Sequence, residues 1–191
     1  KELTEMGEMM ALGCVAFSDD GKPIENGAMM RTAMQYAATY GSFIMAHEEC
    51  LDIRNGGVMN EGYYSTVLGL PGISRAAEEA MIARDCLLAE AYGLRVHIQH
   101  VSTRGGVEII RNAKAKSVKV TCETAPHYFS GDDSMCQGYD ARTKVNPPLR
   151  TKDDVEAIKQ GLLDGTIDAI ATDHAPHHKD EKNIEFMLAA F

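Results

Sequence analysis

Short apolar segments alternate with longer amphipathic segments along the whole sequence, and this alternation limits the fold more than any other feature. Apolar segments with the length of strands are found at 14–18, 43–47, 95–101, 118–123 and 167–173. Amphipathic segments with the period of helices lie between them, at 3–11, 29–40, 74–92, 106–114 and 151–163. Strands that alternate with helices indicate βα units and a parallel sheet.

Local signals agree with these boundaries. Gly13, Gly41 and Gly93 follow three of the helical segments, as glycines that end helices do. Thr151 and Asp154 have the spacing of a capping box at the start of the last helix. The pattern alone fits either a five-stranded doubly wound sheet or part of an eight-stranded barrel. The irregular stretches 52–70 and 124–147 are long enough to be functional loops.

Composition excludes several classes of protein. The formal net charge of −9 argues against a surface for nucleic acid or anionic membranes, which needs clustered Lys and Arg. The longest apolar runs are too short to span a bilayer, and the first residues have no signal-peptide core. Five cysteines without a CxxC pair suit structural roles in a reducing cytoplasm. The chain starts without Met, so we expect it to begin inside a longer protein.

Two histidines and two aspartates follow four different predicted strands. Asp20, His47, His100 and Asp173 each lie at a carboxyl end. Active sites of βα barrels and ligand sites of open α/β sheets both lie at that end. Imidazole and carboxylate groups are ligands of Zn²⁺ and similar divalent ions, so the pattern predicts a metal site.

Strand alternation predicts which histidine of the segment 96–101 faces this site. His97 and His100 point to opposite faces, and His100 shares its face with Val96 and Ile98. We therefore expect His100 in the site and His97 in a structural role behind the strand.

The same alternation favours Asp20 over Asp19. In this frame Val15 and Phe17 pack outward against helices, and Asp20 points at the site. Asp19 stays the alternative, because the choice depends on the frame of the strand.

The segment 171–178 is the densest chemical signal. Asp173 ends a strand and is followed by a turn with three histidines and Pro176. A carboxylate beside a metal ion stays ionised at neutral pH and can still accept a proton. The segment therefore suits a metal site with a general base.

At these residues the sequence resembles a known family. The segments that carry the resemblance are 2–6 (ELTEM), 16–21 (AFSDDG), 46–49 (AHEE), 98–103 (IQHVST), 123–129 (ETAPHYF), 144–150 (KVNPPLR) and 171–177 (ATDHAPH). They are similar to type I dihydroorotases, of the amidohydrolase superfamily of metal-dependent (β/α)₈ barrels. The resemblance implies an α/β fold with about five of the eight barrel strands, the fourth to the eighth. Residues 1–191 would then form part of a single catalytic barrel domain.

The resemblance also implies roles for individual residues. His47 and His100 would be ligands of one metal, and Asp173 a ligand and the general base. Asp20 would bridge two zinc ions, where hydantoinases and dihydropyrimidinases have a carboxylated lysine. Asn146 and His177 would bind the substrate, and His127 has either a supporting or a packing role. The implied reaction is the reversible cyclisation of N-carbamoyl-L-aspartate to L-dihydroorotate in pyrimidine biosynthesis, with one or two Zn²⁺ ions.

The sequence departs from this family at the first strand, where the family has His-x-His-x-Arg. No His-x-His occurs in the 191 residues. Two alternatives therefore stay open, a hydantoinase or allantoinase and a catalytically inactive scaffold for aspartate transcarbamoylase. A His-x-His-x-Arg upstream of Lys1 would decide for the enzyme. The partners implied are a small-molecule substrate and either a second copy of the chain or aspartate transcarbamoylase.

We expect residues 1–191 expressed alone to be inactive toward dihydroorotate, to bind metal weakly and to be unstable or self-associated. Residues 1–191 supply at most four of the expected ligands, because the two histidines of the family's first strand are not among them. Strands four to eight also leave an unpaired sheet edge on each side. Enzyme assay and size-exclusion chromatography of the purified chain test this expectation. Metal-dependent turnover by a stable monomer would contradict it.

Overall fold

A computed structural model of the chain describes residues 2–191. Its strands are β1 (Phe17–Ser18), β2 (Ile44–Ala46), β3 (Met59–Asn60), β4 (Gly72–Ile73), β5 (Val96–Ile98), β6 (Val120–Thr124) and β7 (Ala169–Ile170). Its α-helices are α1 (Met6–Ala11), α2 (Gly27–Thr39), α3 (Leu51–Arg54), α4 (Tyr63–Leu68), α5 (Ala76–Tyr92), α6 (Arg104–Ala115), α7 (Pro126–Ser130), α8 (Lys152–Leu163) and α9 (Lys179–Lys182). Short 3₁₀ helices lie at Asp133–Cys136 and Ala141–Thr143.

The main sheet has five parallel strands in the order β1-β2-β5-β6-β7. All five predicted strands are therefore present, and each is shorter than predicted. The strands follow chain order without reversal, and α2, α5, α6 and α8 pack on one another in the same order. A doubly wound sheet reverses its strand order at a switch point, whereas a barrel does not. The topology is that of a partial βα barrel.

The core lies between the sheet and this layer of helices. Alternate strand residues face the helices and are buried with them, namely Ile44, Ala46, Val96, Ile98, Val120 and Cys122. The opposite face of the sheet is polar and half-buried. There His97 contacts Thr121 and Glu123, and Ser18 donates a hydrogen bond to Gln99 at 2.8 Å.

A second, two-stranded parallel sheet formed by β3 and β4 was not predicted. Each of its strands has two residues, too short to show an alternating pattern. A small second core of Val58, Met59, Cys136 and Phe186 packs nearby. The stretch 52–70, expected to be a loop, therefore contains ordered elements beside the carboxyl end of the main sheet.

The predicted helix boundaries are largely confirmed. Gly13, Gly41 and Gly93 have positive φ angles of 100°, 72° and 65°. Thr151 and Asp154 form the predicted capping box, with the Thr151 hydroxyl donating to the Asp154 carboxylate at 2.6 Å. No helix within residues 2–191 combines the length and the apolar character needed to cross a membrane.

The packing expected for Val15 was wrong. Its side chain is 78% exposed, whereas Phe17 is buried in the core. The strand β1 begins only at Phe17, so the alternation of faces does not extend back to Val15.

Helix α8 offers a matched test of the core. Ile158 is fully buried in the main core, and Leu163 on the same helix is 80% exposed. In the complete protein that carries this sequence, Ile158→Ala should lower the free energy of unfolding by about 2–5 kcal/mol, through lost burial and the cavity left behind. Leu163→Ala should change it by less than about 0.5 kcal/mol. Urea denaturation measures both, and equal losses would show that α8 does not pack as described.

Candidate metal centre

Three potential ligand atoms meet at the carboxyl ends of three adjacent strands. Asp20 follows β1, His47 follows β2 and His100 follows β5. The Nδ1 atom of His47 lies 2.8 Å from the Nε2 atom of His100 and 3.3 Å from the Oδ1 atom of Asp20. The His100 Nε2 atom lies 3.5 Å from the same aspartate oxygen. The structure therefore brings together three of the four residues predicted as metal ligands.

These separations match the spacing of donors around one metal ion. Zinc binds nitrogen and oxygen donors at about 2.0–2.2 Å, so two tetrahedral ligand atoms lie about 3.3 Å apart. The three measured distances bracket that value. Two nitrogens and one carboxylate oxygen are also donors suited to zinc and related ions. The residues present fit a divalent metal ion.

The electrostatics of the cluster keep its aspartate charged. His47 and His100 are buried, and the Asp20 side chain is 45% exposed. Hydrogen bonds from His100 and His47 hold the pKa of Asp20 well below its usual range. Burial alone would lower the pKa of His47, but contacts with Asp20 and Glu49 raise it to about 9.

The structure separates the roles of Asp19 and Asp20. One Asp19 oxygen accepts the backbone N–H of His47 at 2.8 Å, and the other accepts that of Ile24 at 2.7 Å. Asp19 therefore braces the backbone, and Asp20 faces the imidazole rings.

The structure places His100 in the cluster, but the reason given from strand alternation was wrong. Val96 and Ile98 face the helices rather than the site. Strand β5 ends at Ile98, and His100 has a left-handed backbone with φ of 38°. This turn, and not the alternation, directs the ring toward His47. His97 is not among the three clustered donors, but it lies on the sheet face away from the helices rather than behind the strand, with Nδ1 2.8 Å from the Thr121 hydroxyl.

The remaining predicted site residues border one open cavity. Asp173, Asn146 and His177 line it together with Asp20 and His47, and its volume is about 890 Å³. Asp173 follows β7 and is not one of the three clustered donors. His177 also pairs with Glu181, at 3.3 Å between Nδ1 and Oε2. His127 lines the cavity, and its Nε2 is buried without a hydrogen-bond partner among residues 2–191.

Sequence reasoning missed Glu49, which contacts His47, one of the three clustered donors. Its Oε2 atom lies 3.4 Å from the Nε2 atom of His47, and its Oε1 atom lies 3.4 Å from the Nε atom of Arg54. Burial opposes ionisation, but His47 and Arg54 lower the pKa of Glu49. A carboxylate on the far nitrogen of a ligand histidine fixes the ring orientation. The two adjacent acids of the segment 46–49 were the available signal, and the sequence does not distinguish between them.

Cations gather beside Phe191, a residue of the cavity wall, although the chain is acidic. The Arg54 guanidinium lies 4.5 Å above the ring of Phe191. The ammonium of Lys144 donates to the carbonyls of Phe186, Met187 and Ala189. Lys182 donates to three further carbonyls. These two ammonium groups have carbonyl partners rather than carboxylates, so their charges are not cancelled locally.

Comparison with solved structures identifies the class of fold. A crystal structure of D-hydantoinase superposes with a TM-score of 0.77 over 99% of this chain and 45% of its own, at 21% identity. The D-hydantoinase of Bacillus sp. AR9 gives a TM-score of 0.78 at 21% identity, over 96% of this chain and 44% of its own. With the strand order described above, the chain has part of the barrel fold of these hydantoinases.

Comparison of sequences identifies the family. The sequence model described as dihydro-orotase-like matches residues 1–106. The dihydroorotase of Acetivibrio thermocellus is 57% identical over 190 residues, 100% of this chain and 45% of that protein. The dihydroorotase of Geobacter metallireducens is 60% identical over 184 residues, 96% of this chain and 43% of that protein. The chain belongs to the dihydroorotase-like family and spans less than half the length of these relatives.

Loss of one nitrogen donor should weaken the metal centre. In the complete protein that carries this sequence, His100→Ala should lose most of the bound zinc, because one of its imidazole ligands disappears. His97→Ala is the matched control, since that ring contacts Thr121 and Glu123 and is not one of the three clustered donors. Elemental analysis after gel filtration measures the metal content. Equal zinc in the wild type and His100→Ala would remove His100 from the site.

Proposed function

We propose that this chain is the metal-binding part of a dihydroorotase, which interconverts L-dihydroorotate and N-carbamoyl-L-aspartate. One observation carries the proposal. The donor atoms of Asp20, His47 and His100 meet at the edge of a cavity that Asp173, Asn146 and His177 also line. The proposal is supported by the family to which the chain belongs.

Asp20, His47 and His100 would hold one Zn²⁺ ion, with Asp173 as a further ligand from the last strand. The ion, when bound, supplies a Lewis acid and lowers the pKa of water. The role of the chain is to fix the donors before the ion arrives. The His47–Glu49 contact and the Asp19 hydrogen bond to the His47 backbone both serve this purpose.

Asp173 is the proposed proton carrier. Its carboxylate would accept a proton from the attacking water and deliver it to the ring nitrogen that leaves the opened amide. The left-handed backbone of Asp173, with φ of 50°, follows strand β7. In the direction of ring closure the same carboxylate would act in reverse.

Asn146 and His177 would bind the anionic substrate. Both line the cavity, and Asn146 also contacts Glu49. The cations Arg54 and Lys144 lie against Phe191, which lines the cavity, and would give this side a positive potential that the net charge of −9 would not provide.

A second candidate is a hydantoinase-type cyclic amidase. The favouring observation is the superposition on hydantoinases, which is a likeness of fold alone at 21% identity. Asp20 is one of the three clustered donors, at the position where hydantoinases would have a carboxylated lysine. This disfavours the second candidate.

The proposal has consequences for location and partners. Five free cysteines, three of them buried, fit a reducing cytoplasm. The resemblance to type I dihydroorotases supports either a homodimer or association with aspartate transcarbamoylase.

Replacing the proton carrier should stop turnover without unfolding the protein. In the complete protein that carries this sequence, Asp173→Asn keeps the shape and an oxygen donor but removes the proton acceptor. Turnover of dihydroorotate should fall by at least about 10²-fold. The control is Asp180→Asn, which alters an exposed carboxylate in helix α9 and should leave turnover unchanged.

Absorbance of dihydroorotate at fixed zinc measures the turnover, and circular dichroism confirms the fold. Near-normal turnover by Asp173→Asn would mean that another group moves the proton. Turnover of hydantoins but not of dihydroorotate by the wild type would favour the second candidate.

A further inference from the structure

We propose that Glu78 and Arg150 are positioning residues, which hold the turn at 99–103 so that His100 keeps its ligand geometry. Neither residue lines the cavity of about 890 Å³, and both are buried, with 3% exposure each. The inference rests on the metal centre of the proposed function and not on its substrate.

The Glu78 carboxylate binds the end of this turn with four hydrogen bonds. Its Oε1 atom accepts the backbone N–H groups of Ser102 and Thr103 at 3.0 and 3.1 Å, and the Thr103 hydroxyl at 3.0 Å. Its Oε2 atom accepts the Ser102 hydroxyl. Glu78 lies in the first turn of α5, which packs on α6. One side chain therefore fixes two successive residues of the turn to a long helix.

The turn needs such a restraint because of its backbone. His100 has φ of 38°, in a region that non-glycine residues occupy only at a cost in free energy. Sheet hydrogen bonds from Gln99 to Ala46 and from Val101 to Glu123, at 3.0 and 2.8 Å, fix the residues on either side of His100. Glu78 fixes the next two residues. The strained conformation persists because it is held from both directions.

Arg150 completes the arrangement by compensating the buried charge. Its Nη2 atom lies 3.5 Å from the Glu78 Oε2 atom, and its Nε atom donates to the Ser102 hydroxyl at 3.1 Å. Its Nη1 atom donates to Asn60 at 3.2 Å and to the Ile73 carbonyl at 3.1 Å. Arg150 also ends the segment 144–150, which contains Asn146. The same ion pair therefore connects the metal-binding turn to the segment proposed to bind substrate.

The energetics favour a positioning role over a purely stabilising one. A buried ion pair costs desolvation, and apolar residues of similar volume often give equal or greater stability. An apolar pair could fill this space, but it could not accept the two N–H groups of the turn. Loss of their acceptor would free the turn to relax away from the left-handed conformation.

The test measures metal binding, in the complete protein that carries this sequence, with Zn²⁺ and Co²⁺ as probes. Glu78→Gln keeps the volume and one carbonyl oxygen but loses the charge and a second acceptor. We expect zinc affinity, measured by chelator competition, to fall about 10- to 100-fold. The visible absorption bands of bound Co²⁺ should shift as well, because the position of one imidazole changes.

Ile158→Ala is the control for lost stability. It destabilises the protein through α8, where its apolar side chain is buried in the main core. Zinc affinity and the Co²⁺ spectrum should be those of the wild type in this variant. Should Glu78→Gln not fold, Ser102→Ala decides, because it removes one donor to Glu78 and the acceptor of Arg150 Nε. It should weaken zinc binding in the same direction.

The outcomes separate this inference from the proposed function. Unchanged zinc affinity and an unchanged Co²⁺ spectrum, in Glu78→Gln or in Ser102→Ala if that variant decides, would overturn the positioning role whatever the enzyme activity. A wild type that binds no zinc would overturn both the metal centre and the positioning role. Weakened binding in the variant, in a protein that does not act on dihydroorotate, would support the positioning role and refute the proposed substrate.

Discussion

The parallel register of the main sheet is the constraint on which the site depends. Phe17 pairs with Ile44, Ile44 with Val96 and Val96 with Val120. The four strands are therefore aligned side by side, without a large shift along their axes. Their carboxyl ends therefore meet at one edge. Each metal-site residue lies one to three positions after its strand. Residues that are 27 to 153 positions apart in the sequence therefore meet at one cavity.

Sequence reasoning could predict much of this arrangement, because it depends on the order of elements rather than on their details. To predict that Asp20 and His47 lie at the carboxyl edge of the sheet, it was enough to know where two strands end. The backbone turn at His100 could not be predicted, since a positive φ at a histidine leaves no pattern in its neighbours. The two-residue strands β3 and β4 were missed because periodicity needs longer segments. Glu49 was missed because its role depends on a contact with a ring whose direction the sequence does not give.

The distribution of charge shows why net charge is a poor guide to a site. The chain carries −9, yet Lys144 and Lys182 are held close together, with the Lys144 ammonium 4.7 Å from the ring of Phe191 on the cavity wall. Burial and the neighbouring cations Lys182 and Arg54 lower the pKa of Lys144. Carbonyl oxygens satisfy the N–H donors of both lysines without neutralising them. Acids elsewhere on the surface contribute to the negative net charge, such as Asp164, which is 45% exposed and pairs with Arg111.

The left-handed backbone at His100 and Asp173 limits how these positions can evolve. Apart from glycine, the residues that adopt this conformation most readily are asparagine, aspartate and histidine. Aspartate and histidine are also common metal ligands, and asparagine offers an oxygen donor. Most substitutions that the backbone accepts would therefore exchange one donor for another. The local conformation confines drift at these positions to side chains that can still bind a cation.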